Sequence, residues 1–274
     1  MGERAKTPVT DGRSHRKRHL FALGLGLVRG RVSVVLGLVF AALVTLAFVV
    51  FAVMMASRDR LSAASLPGIA SEVLAWGPGM LVAFAGSLHA LRNDAEHGIF
   101  ALVVGRGVPL HAYVVQRVVS LGALLAITAA SGTACVMTAA IIASASGDLA
   151  AASLHGGLAG VVHGIAFGAV MGPVAMATLG ARSRTGGYVA LVLVLALPEL
   201  LRLFAWDLPG EWSELLSIPS CLATLRHALS PGHVEAARAV GAAVVLVLAA
   251  LLATAFAVQQ ARGASSNLLR AEAA

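Results

Sequence analysis

The sequence predicts an all-α integral membrane protein that crosses the bilayer six times. Hydrophobic residues make up 58% of the 274 residues and charged residues only 12%, against roughly 45–50% and about 25% in a soluble domain. Several apolar runs reach the length of about 20 residues that a helix needs to cross the hydrocarbon core. The Lys and Arg residues also concentrate in alternate connecting segments, which is the pattern that orients membrane proteins. Lipid is therefore expected to be the solvent for much of the chain.

Six apolar runs are interpreted as spans. The first is free of charged residues, the second contains Gly77, Pro78 and Gly79, and the third is longer than one crossing requires. The predicted spans are 32–56, 73–91, 110–145, 156–181, 187–204 and 239–258. Together they form a predicted transmembrane domain at 32–262, with a basic N-terminal part at 1–31 and a cytoplasmic tail at 263–274.

The basic residues predict the orientation. Eight of the 20 Lys and Arg lie in the first 31 residues, beside the first span, as is typical of contact with anionic lipid headgroups. Residues 20–30 are too short to span and are expected to form an interfacial elbow helix, with a disordered tether as the alternative. With the N-terminus inside, cytoplasmic segments hold 15 of the 20 basic residues. Both termini are therefore predicted to be cytoplasmic, in a multi-pass protein of the cell inner (cytoplasmic) membrane.

The sequence offers little for catalysis. A P-loop requires Gly-Lys-Ser/Thr, and the only lysines, Lys6 and Lys17, do not follow glycine. Cys135 and Cys221 form no disulfide framework or metal spacing, and the nine histidines show no ligand pair. The absence of an aromatic stacking pattern argues against nucleic acid. No catalytic residue, metal site or bound cofactor is predicted, and the chain is expected not to be an enzyme by itself.

Two alternatives depend on polar residues near the spans. An intramembrane hydrolase could pair Ser87 with His89 or His163, but nothing supplies a third orienting group or an oxyanion loop. His163, near the middle of a span, is a functional candidate, although a packed neutral histidine is favoured. An ATP-independent secondary carrier would require charge near the bilayer centre, whereas the acidic residues lie towards the outer side. Glu199 and Arg202 are interpreted as an ion pair near the interface.

Two polar or small-residue patterns lie within the spans. One is a glycine ladder with four-residue spacing on the fourth span, which gives a smooth surface for close helix packing or, alternatively, for sliding. Its members are Gly156, Gly160, Gly164, Gly168 and Gly172. The other is a face of the third span, interpreted as interhelical or backbone hydrogen bonding, with a polar lining to a substrate path as the alternative. It consists of Thr128, Ser131, Cys135 and Thr138.

The segment between the second and third spans is the most informative about function. Asn93 or Asp94 can cap a helix, Asp94 and Glu96 suit its first turn, and an apolar face follows at 3–4 spacing. Gly105 and Gly107 can end the helix. A short amphipathic helix at 94–105 is therefore predicted. It is expected either to pack on the bilayer surface or on the ends of the chain's own spans, or to dock into a cytoplasmic partner.

The same segment resembles the loop of ABC-2 type transporter permeases. The resemblance is carried by Glu96-x-Gly98, an apolar run with Leu102, then Arg106-Gly107-Val108 and a basic residue at Arg117. Ile99 stands where the family has Thr, and Pro109-Leu110 where it has Ser-Arg. The number of predicted spans and the basic elbow agree with the family, and by position the outer segment at 206–231 would correspond to its outer re-entrant helices.

The resemblance implies a function. Such permeases pair as two six-span subunits, as homodimers or heterodimers, and recruit cytoplasmic P-loop ATPase subunits that bind ATP and Mg²⁺, and the loop is the coupling helix that seats in the ATPase. The coupling residues implied here are Asp94, Glu96, Gly98, Phe100, Leu102 and Arg106. Asp94 and Glu96 are expected to contact basic residues of the ATPase, and Phe100 with Leu102 to fill its groove. The expected function is therefore an ATP-driven permease subunit, with export favoured. A secondary carrier or a membrane scaffold without transport activity is the alternative.

Overall fold

Helices follow one another through the described part of the computed structural model, and no strand occurs within it. The structure describes residues 11–58, 65–144, 146–181, 184–204, 212–229 and 236–272. Within those ranges the side chains of residues 11–18, 184, 202–204, 212, 214 and 266–272 lie outside the description. The all-α prediction is confirmed for these residues.

The helices are labelled α1 to α11 in chain order. They are α1 Asp11–Arg29, α2 Val32–Ala56, α3 Leu66–Leu74, α4 Met80–Ser87, α5 Ala90–Glu96, α6 Ile99–Gly105, α7 Leu110–Ala143, α8 Gly147–Leu179, α9 Arg184–Phe204, α10 Ile218–Ala228 and α11 Ala236–Glu272. A π-helical turn at Ala75–Gly79 joins α3 to α4, and a 3₁₀ turn at Trp212–Leu216 precedes α10.

Five helical stretches are long and apolar enough to cross a membrane. They are Val32–Ala56, Leu66–Glu96, Leu110–Ala143, Gly147–Leu179 and Ala236–Ser265. The fifth predicted span, 187–204, lies in α9, where the apolar stretch Thr185–Leu201 is shorter than these five. The multi-pass membrane character is confirmed, while the crossing by α9, the total of six crossings and the cytoplasmic location of both termini stay predictions.

The second crossing begins earlier than predicted and remains helical through its glycines. It starts at Leu66, with Pro67 in the first turn, where the missing N–H costs nothing. Pro78 lies in the π-helical turn, and such a wide turn accommodates a residue that cannot donate to the helical ladder. The helix breaks only after Ser87, where His89 adopts a left-handed conformation with φ +54°.

Two further helices extend beyond the predicted spans. Residues 147–155, interpreted as loop, are the first turns of α8, whose N-terminus is capped by the Ser146 hydroxyl accepting from Leu149 N. The last helix does not end at 258 but continues to Glu272, because the residues that follow Val258 are mostly compatible with helix. Trp206 and Glu211 of the predicted outer segment lie outside the described residues.

The glycine ladder packs α8 against α7 of the same chain. A Cβ added at Gly168 would lie 2.5 Å from Gly122 O, and one at Gly172 would lie 2.6 Å from Gly122 Cα. Gly164 also meets the α7 backbone, at Ala130 N, whereas Gly160 meets the Thr133 side chain of α7 and Pro67 O of α3. Gly157 is buried next to the half-buried Gly156. Gly164, Gly168 and Gly172 therefore lie where α7 and α8 pack closely within the subunit.

The predicted elbow at 20–30 belongs to a longer helix, α1, that packs against the first half of α7. Val28 is fully buried, and the Ser120 hydroxyl donates to Phe21 O and Gln116 O at 3.2 and 2.7 Å. Gly24 leaves room for that hydroxyl, because a Cβ there would lie 2.6 Å from Ser120 Oγ. The N-terminal segment is thus attached to the third crossing at the end where α7 begins.

Candidate functional site at the hairpin between the second and third crossings

The predicted coupling segment is a helical hairpin rather than one helix. Helices α5 and α6 are separated at His97 and Gly98, and Gly98 has φ +70°. The prediction of a single helix over 94–105 is therefore wrong, and Asn93 and Asp94 lie inside α5 instead of capping it. We call residues 90–108 the connecting hairpin.

A buried ion pair holds the connecting hairpin to α7. Asp94 Oδ2 accepts from Arg117 Nε at 3.0 Å and from Tyr113 OH at 2.9 Å, and Asp94 Oδ1 accepts from Arg117 Nη2 at 3.3 Å. The Asp94 side chain is 5% exposed and that of Arg117 2%. Arg117 Nη1 also donates to Gly24 O at 3.3 Å. One cluster therefore joins α1, α5 and α7, and the charges are compensated by direct hydrogen bonds as burial requires.

The cluster corrects the role predicted for Asp94. It was expected to contact basic residues of an ATPase, but its carboxylate is enclosed by its own chain and already accepts three hydrogen bonds. Tyr113 and Arg117, four residues apart on α7, are the partners that the sequence interpretation did not combine with it. An arginine within a long apolar helix is itself a signal for a buried partner, and that signal could have identified Arg117.

A second arginine continues this charged region. Arg31, between α1 and α2, donates from Nη1 to Ala85 O at 3.0 Å and to Leu88 O at 2.8 Å. These carbonyls lie at the C-terminal end of α4, where a cation is favoured by the helix dipole. Burial lowers the pKa of Arg31 from its ordinary value, the nearby charge of Arg117 lowers it further, and Asp94 raises it. Arg31 thus shares the counter-ion of Arg117.

The start of the hairpin also closes the end of α8. His89 N donates to Leu179 O at 3.0 Å, and the backbone N–H groups of Leu91 and Arg92 donate to Gly180 O at 3.0 and 3.1 Å. The left-handed turn at His89 aims these donors at carbonyls that would otherwise have no helical partner. Helix α5 is therefore bonded to α8 through the backbone and to α7 through side chains.

The two faces of α6 differ sharply. Phe100 is buried and packs edge-on against Tyr113 with ring centroids 6.0 Å apart. It therefore cannot fill a partner's groove as predicted, since it fills its own fold. Leu102 and Val104 are 55% and 54% exposed, and Arg106 is exposed beyond them.

Glu96 lies on the accessible side of the hairpin. It forms an exposed ion pair with Arg92 at 2.7 Å, four residues earlier on α5. An exposed pair of this kind contributes little stability, so Glu96 remains available to a partner.

The glycines of the family-like motif have special conformations. Gly98 and Gly107 have φ +70° and +72°, values that residues with a Cβ rarely adopt. Gly107 N donates to Val104 O and Val108 N to Val103 O, a pattern that ends α6 and turns the chain towards α7. The motif spacing therefore corresponds to the two turns that flank α6.

His163 is buried and paired with a serine. Its Nδ1 lies 2.7 Å from Ser71 Oγ, and the Ser71 hydroxyl donates to Gly160 O at 2.8 Å. Because a hydroxyl has one proton, Nδ1 carries the proton of this contact. Ser71 was missed by sequence reasoning, and no pattern around it would have revealed it. Ser87 donates to Ala83 O, so the structure does not bring it together with His163 as a nucleophile and base.

The remaining predicted polar groups bond locally. The hydroxyls of Thr128 and Thr138 donate to carbonyls one turn earlier on α7, as the favoured interpretation of that face held. Glu199 accepts from the hydroxyls of Ser217 and Ser220 at the start of α10. The Arg202 side chain, its predicted partner, lies outside the described residues.

Within the described part of the chain, no group of three or more His, Cys, Asp or Glu side chains could hold a metal ion. No protein-family model matches the chain, and comparison with curated proteins gives no match. The resemblance to ABC-2 permeases is therefore carried by the residues of the hairpin and the predicted topology alone.

Proposed function

We propose that the chain is the membrane-spanning permease subunit of an ATP-driven transporter and that a separate P-loop ATPase docks on the connecting hairpin. The observation that carries the proposal is the construction of the hairpin. Its inner face is bonded to α7 and α8, and Arg117 of α7 continues the contact to Gly24 of α1, while Leu102 and Val104 of α6 project outward. An apolar surface held on a rigid base suits the transmission of a displacement from a partner to the spans.

The attachments define what would move. A push on α6 reaches α5 across one turn, and α5 is bonded to the carbonyl end of α8. The Asp94–Arg117 pair carries the same displacement into α7. Because α7 and α8 pack closely along the glycine ladder, they would respond as one unit. Helices α7 and α8, which pack closely against each other, are therefore the first to be displaced when the hairpin moves.

The motif glycines support the same assignment. In the resemblance to ABC-2 permeases, Gly98 and Gly107 align with the family pattern, and both have the positive φ values that favour glycine. The matched positions therefore have a structural reason at both ends of α6. The proposal carries with it ATP and Mg²⁺ on the partner, a second permease copy or paralogue, and an outward direction of transport.

A secondary carrier is the second candidate, and one observation favours it. His163 and Ser71 form a buried polar pair inside crossing helices, and such residues can bind or relay a coupling ion. Both candidates need a substrate path through the same bundle. They differ in whether a nucleotide-hydrolysing partner is required.

The proposal is tested with the full-length chain purified from its own membranes into lipid nanodiscs. A P-loop ATPase is expected to co-purify in equal stoichiometry. Leu102→Asp should weaken that association more than tenfold, because it removes an apolar contact of about 1.5–3 kcal/mol and places a carboxylate in the interface. Association is measured by titrating the purified ATPase onto nanodiscs.

Leu229→Asp is the matched control. Leu229 is 46% exposed and follows α10, whose Arg226 bonds to Gly68 O and Glu72 near the start of the second crossing. It therefore lies towards the opposite end of the bundle and should not affect the ATPase. A chain that purifies and transports alone, with His163→Ala abolishing transport, would contradict the permease proposal and favour the carrier.

A further inference from the structure

A long groove runs along the lipid-exposed side of the bundle between α1, α2 and α7. Its volume is about 660 Å³, within the range of about 300–1,000 Å³ that holds small ligands. Leu25 and Arg29 of α1 border it, and its walls come from residues 38–49 of α2 and 124–135 of α7. The groove is open because the residues lining it on both helices include small ones, namely Ala41 and Ala42 on α2 and Gly132 on α7.

The walls are mostly apolar, and their uncharged polar side chains are Thr45, Thr128, Ser131 and Cys135. Leu46 and Ile127 are exposed on either side of the groove. The Thr45 hydroxyl donates to Ala41 O at 2.8 Å and the Thr128 hydroxyl to Leu124 O at 2.7 Å. Since these two hydroxyls already donate within their own helices, they do not require a polar ligand as a hydrogen-bond partner. An acyl chain is the ligand chemistry that such walls accept at the least cost.

The length of the groove corresponds to one acyl chain. Along α2 the lining runs from Leu38 to Val49, which is about 16 Å at 1.5 Å per residue, and the lining on α7 covers the same length. The hydrocarbon of one leaflet is about 15 Å thick, half of a core of about 30 Å. The groove therefore accommodates an acyl chain across the hydrocarbon of one leaflet.

The charge lies at one end only. Arg29, in the last turn of α1, is the charged residue among those that border the groove, and its side chain is exposed. It lies just before the first apolar span, in the N-terminal part that carries eight of the chain's 20 basic residues. A cation at the mouth and an apolar channel behind it complement a molecule with an anionic head and a long tail.

We propose that this groove is a binding site for an anionic phospholipid of the surrounding bilayer. Its phosphate pairs with Arg29, and one acyl chain lies between α2 and α7. The bound lipid lies between the first and third crossings, next to the contact between α1 and α7 at Gly24. It is independent of the transport proposal, because it requires only that the chain lies in a membrane.

The site is tested with the full-length chain in vesicles of phosphatidylcholine with phosphatidylglycerol as the minor component. A trace of phosphatidylglycerol that carries a photoreactive diazirine in one acyl chain is activated, and labelled peptides are mapped by mass spectrometry. Labels are expected to concentrate in residues 38–49 and 124–135. Unlabelled phosphatidylglycerol should compete better than phosphatidylcholine. Arg29→Gln should reduce labelling by about fivefold, the effect of one arginine near an anionic lipid.

Two matched controls make the result specific. Arg58→Gln removes an exposed arginine that follows the other end of α2 and should leave labelling unchanged. Ala42→Phe fills the groove and should abolish labelling, whereas Ala47→Phe, at an exposed alanine of the same helix outside the groove, should not.

Three outcomes would overturn the proposal. One is labelling spread evenly over the exposed apolar faces, including residues 240–252 of α11. Another is labelling that Arg29→Gln does not change. The third is a groove that remains unlabelled while Ala42→Phe alters the oligomeric state, which would assign the groove to a second copy of the chain.

Discussion

The buried pair of Asp94 and Arg117 allows a sharp test of how the connecting hairpin is held. Asp94→Ala removes a carboxylate that accepts three hydrogen bonds and leaves the Arg117 guanidinium with Gly24 O as its remaining acceptor. Both side chains are at most 5% exposed, so solvent cannot replace the lost partner. Breaking a buried pair on one side costs about 3–5 kcal/mol. Asp94→Ala is therefore expected to destabilise the protein by about that amount.

Graded variants separate the contributions. Tyr113→Phe removes one hydrogen bond to the carboxylate and should cost about 1.5–3 kcal/mol. Asp94→Leu with Arg117→Leu removes both charges and should recover most of the stability lost in either single variant, because no unpaired charge stays buried. Arg117→Leu alone should be as damaging as Asp94→Ala.

The measurement uses the buried thiol of Cys221. In a Cys135→Ser background, Cys221 is the remaining cysteine and is fully buried, so a thiol-reactive dye reports unfolding when that thiol becomes accessible. Unfolding is followed in detergent micelles as a function of denaturing detergent. The free energies of the parent, Asp94→Leu, Arg117→Leu and the double leucine variant form a double-mutant cycle. The expected coupling energy between Asp94 and Arg117 is at least about 2 kcal/mol.

Two results would refute the reasoning. Asp94→Ala within about 1 kcal/mol of the parent would mean that the pair is not buried in the membrane-embedded protein. Additive losses in the double variant would mean that Asp94 and Arg117 are not coupled at all.

Further predictions concern the glycines. Gly168→Ala should destabilise by about 1–3 kcal/mol, because its Cβ would press on the backbone of α7, whereas Gly147→Ala on the same helix meets open space and should be tolerated when both are measured by Cys221 accessibility. Gly98→Ala should cost about 1–2 kcal/mol, because φ is +70° there. Gly105→Ala, inside α6 with nothing near its Cβ, should instead be neutral or stabilise by about 0.5–1 kcal/mol, and equal effects at the two positions would contradict the left-handed turn.

The positions of the long helices were largely predictable because a membrane restricts which structures an apolar segment can form. An apolar run of about 20 residues can do little except form a helix in a membrane, and α2, α7 and the apolar part of α11 follow their predicted runs. The helices extend beyond the predicted spans where the apolar run weakens but the residues still favour helix. Gly147 to His155 and the residues after Val258 are compatible with helix but carry no hydropathy signal. The second crossing was predicted too short because its first turn holds Pro67 and Gly68.

The candidate site was predicted in place but not in detail. The 3–4 spacing of Ile99, Phe100, Leu102 and Val103 indicated an amphipathic helix, yet spacing alone does not say which side faces the protein. Asp94 was interpreted as a surface acid because its partners, Tyr113 and Arg117, are about 20 residues away and contact it only in the folded hairpin. Long-range hydrogen bonds of this kind have no local signature.

Stability and position are separable at the buried pair. Leucines at positions 94 and 117 would contact each other without a preferred direction, whereas the two hydrogen bonds from Arg117 to Asp94 fix α5 against α7 in one orientation. If the hairpin transmits a displacement, the double leucine variant should keep most of the parent's stability and yet couple poorly to its ATPase. ATP hydrolysis by the reconstituted complex, measured beside the unfolding free energy, tests this directly. Full coupling in the double variant would show that the pair acts only on folding.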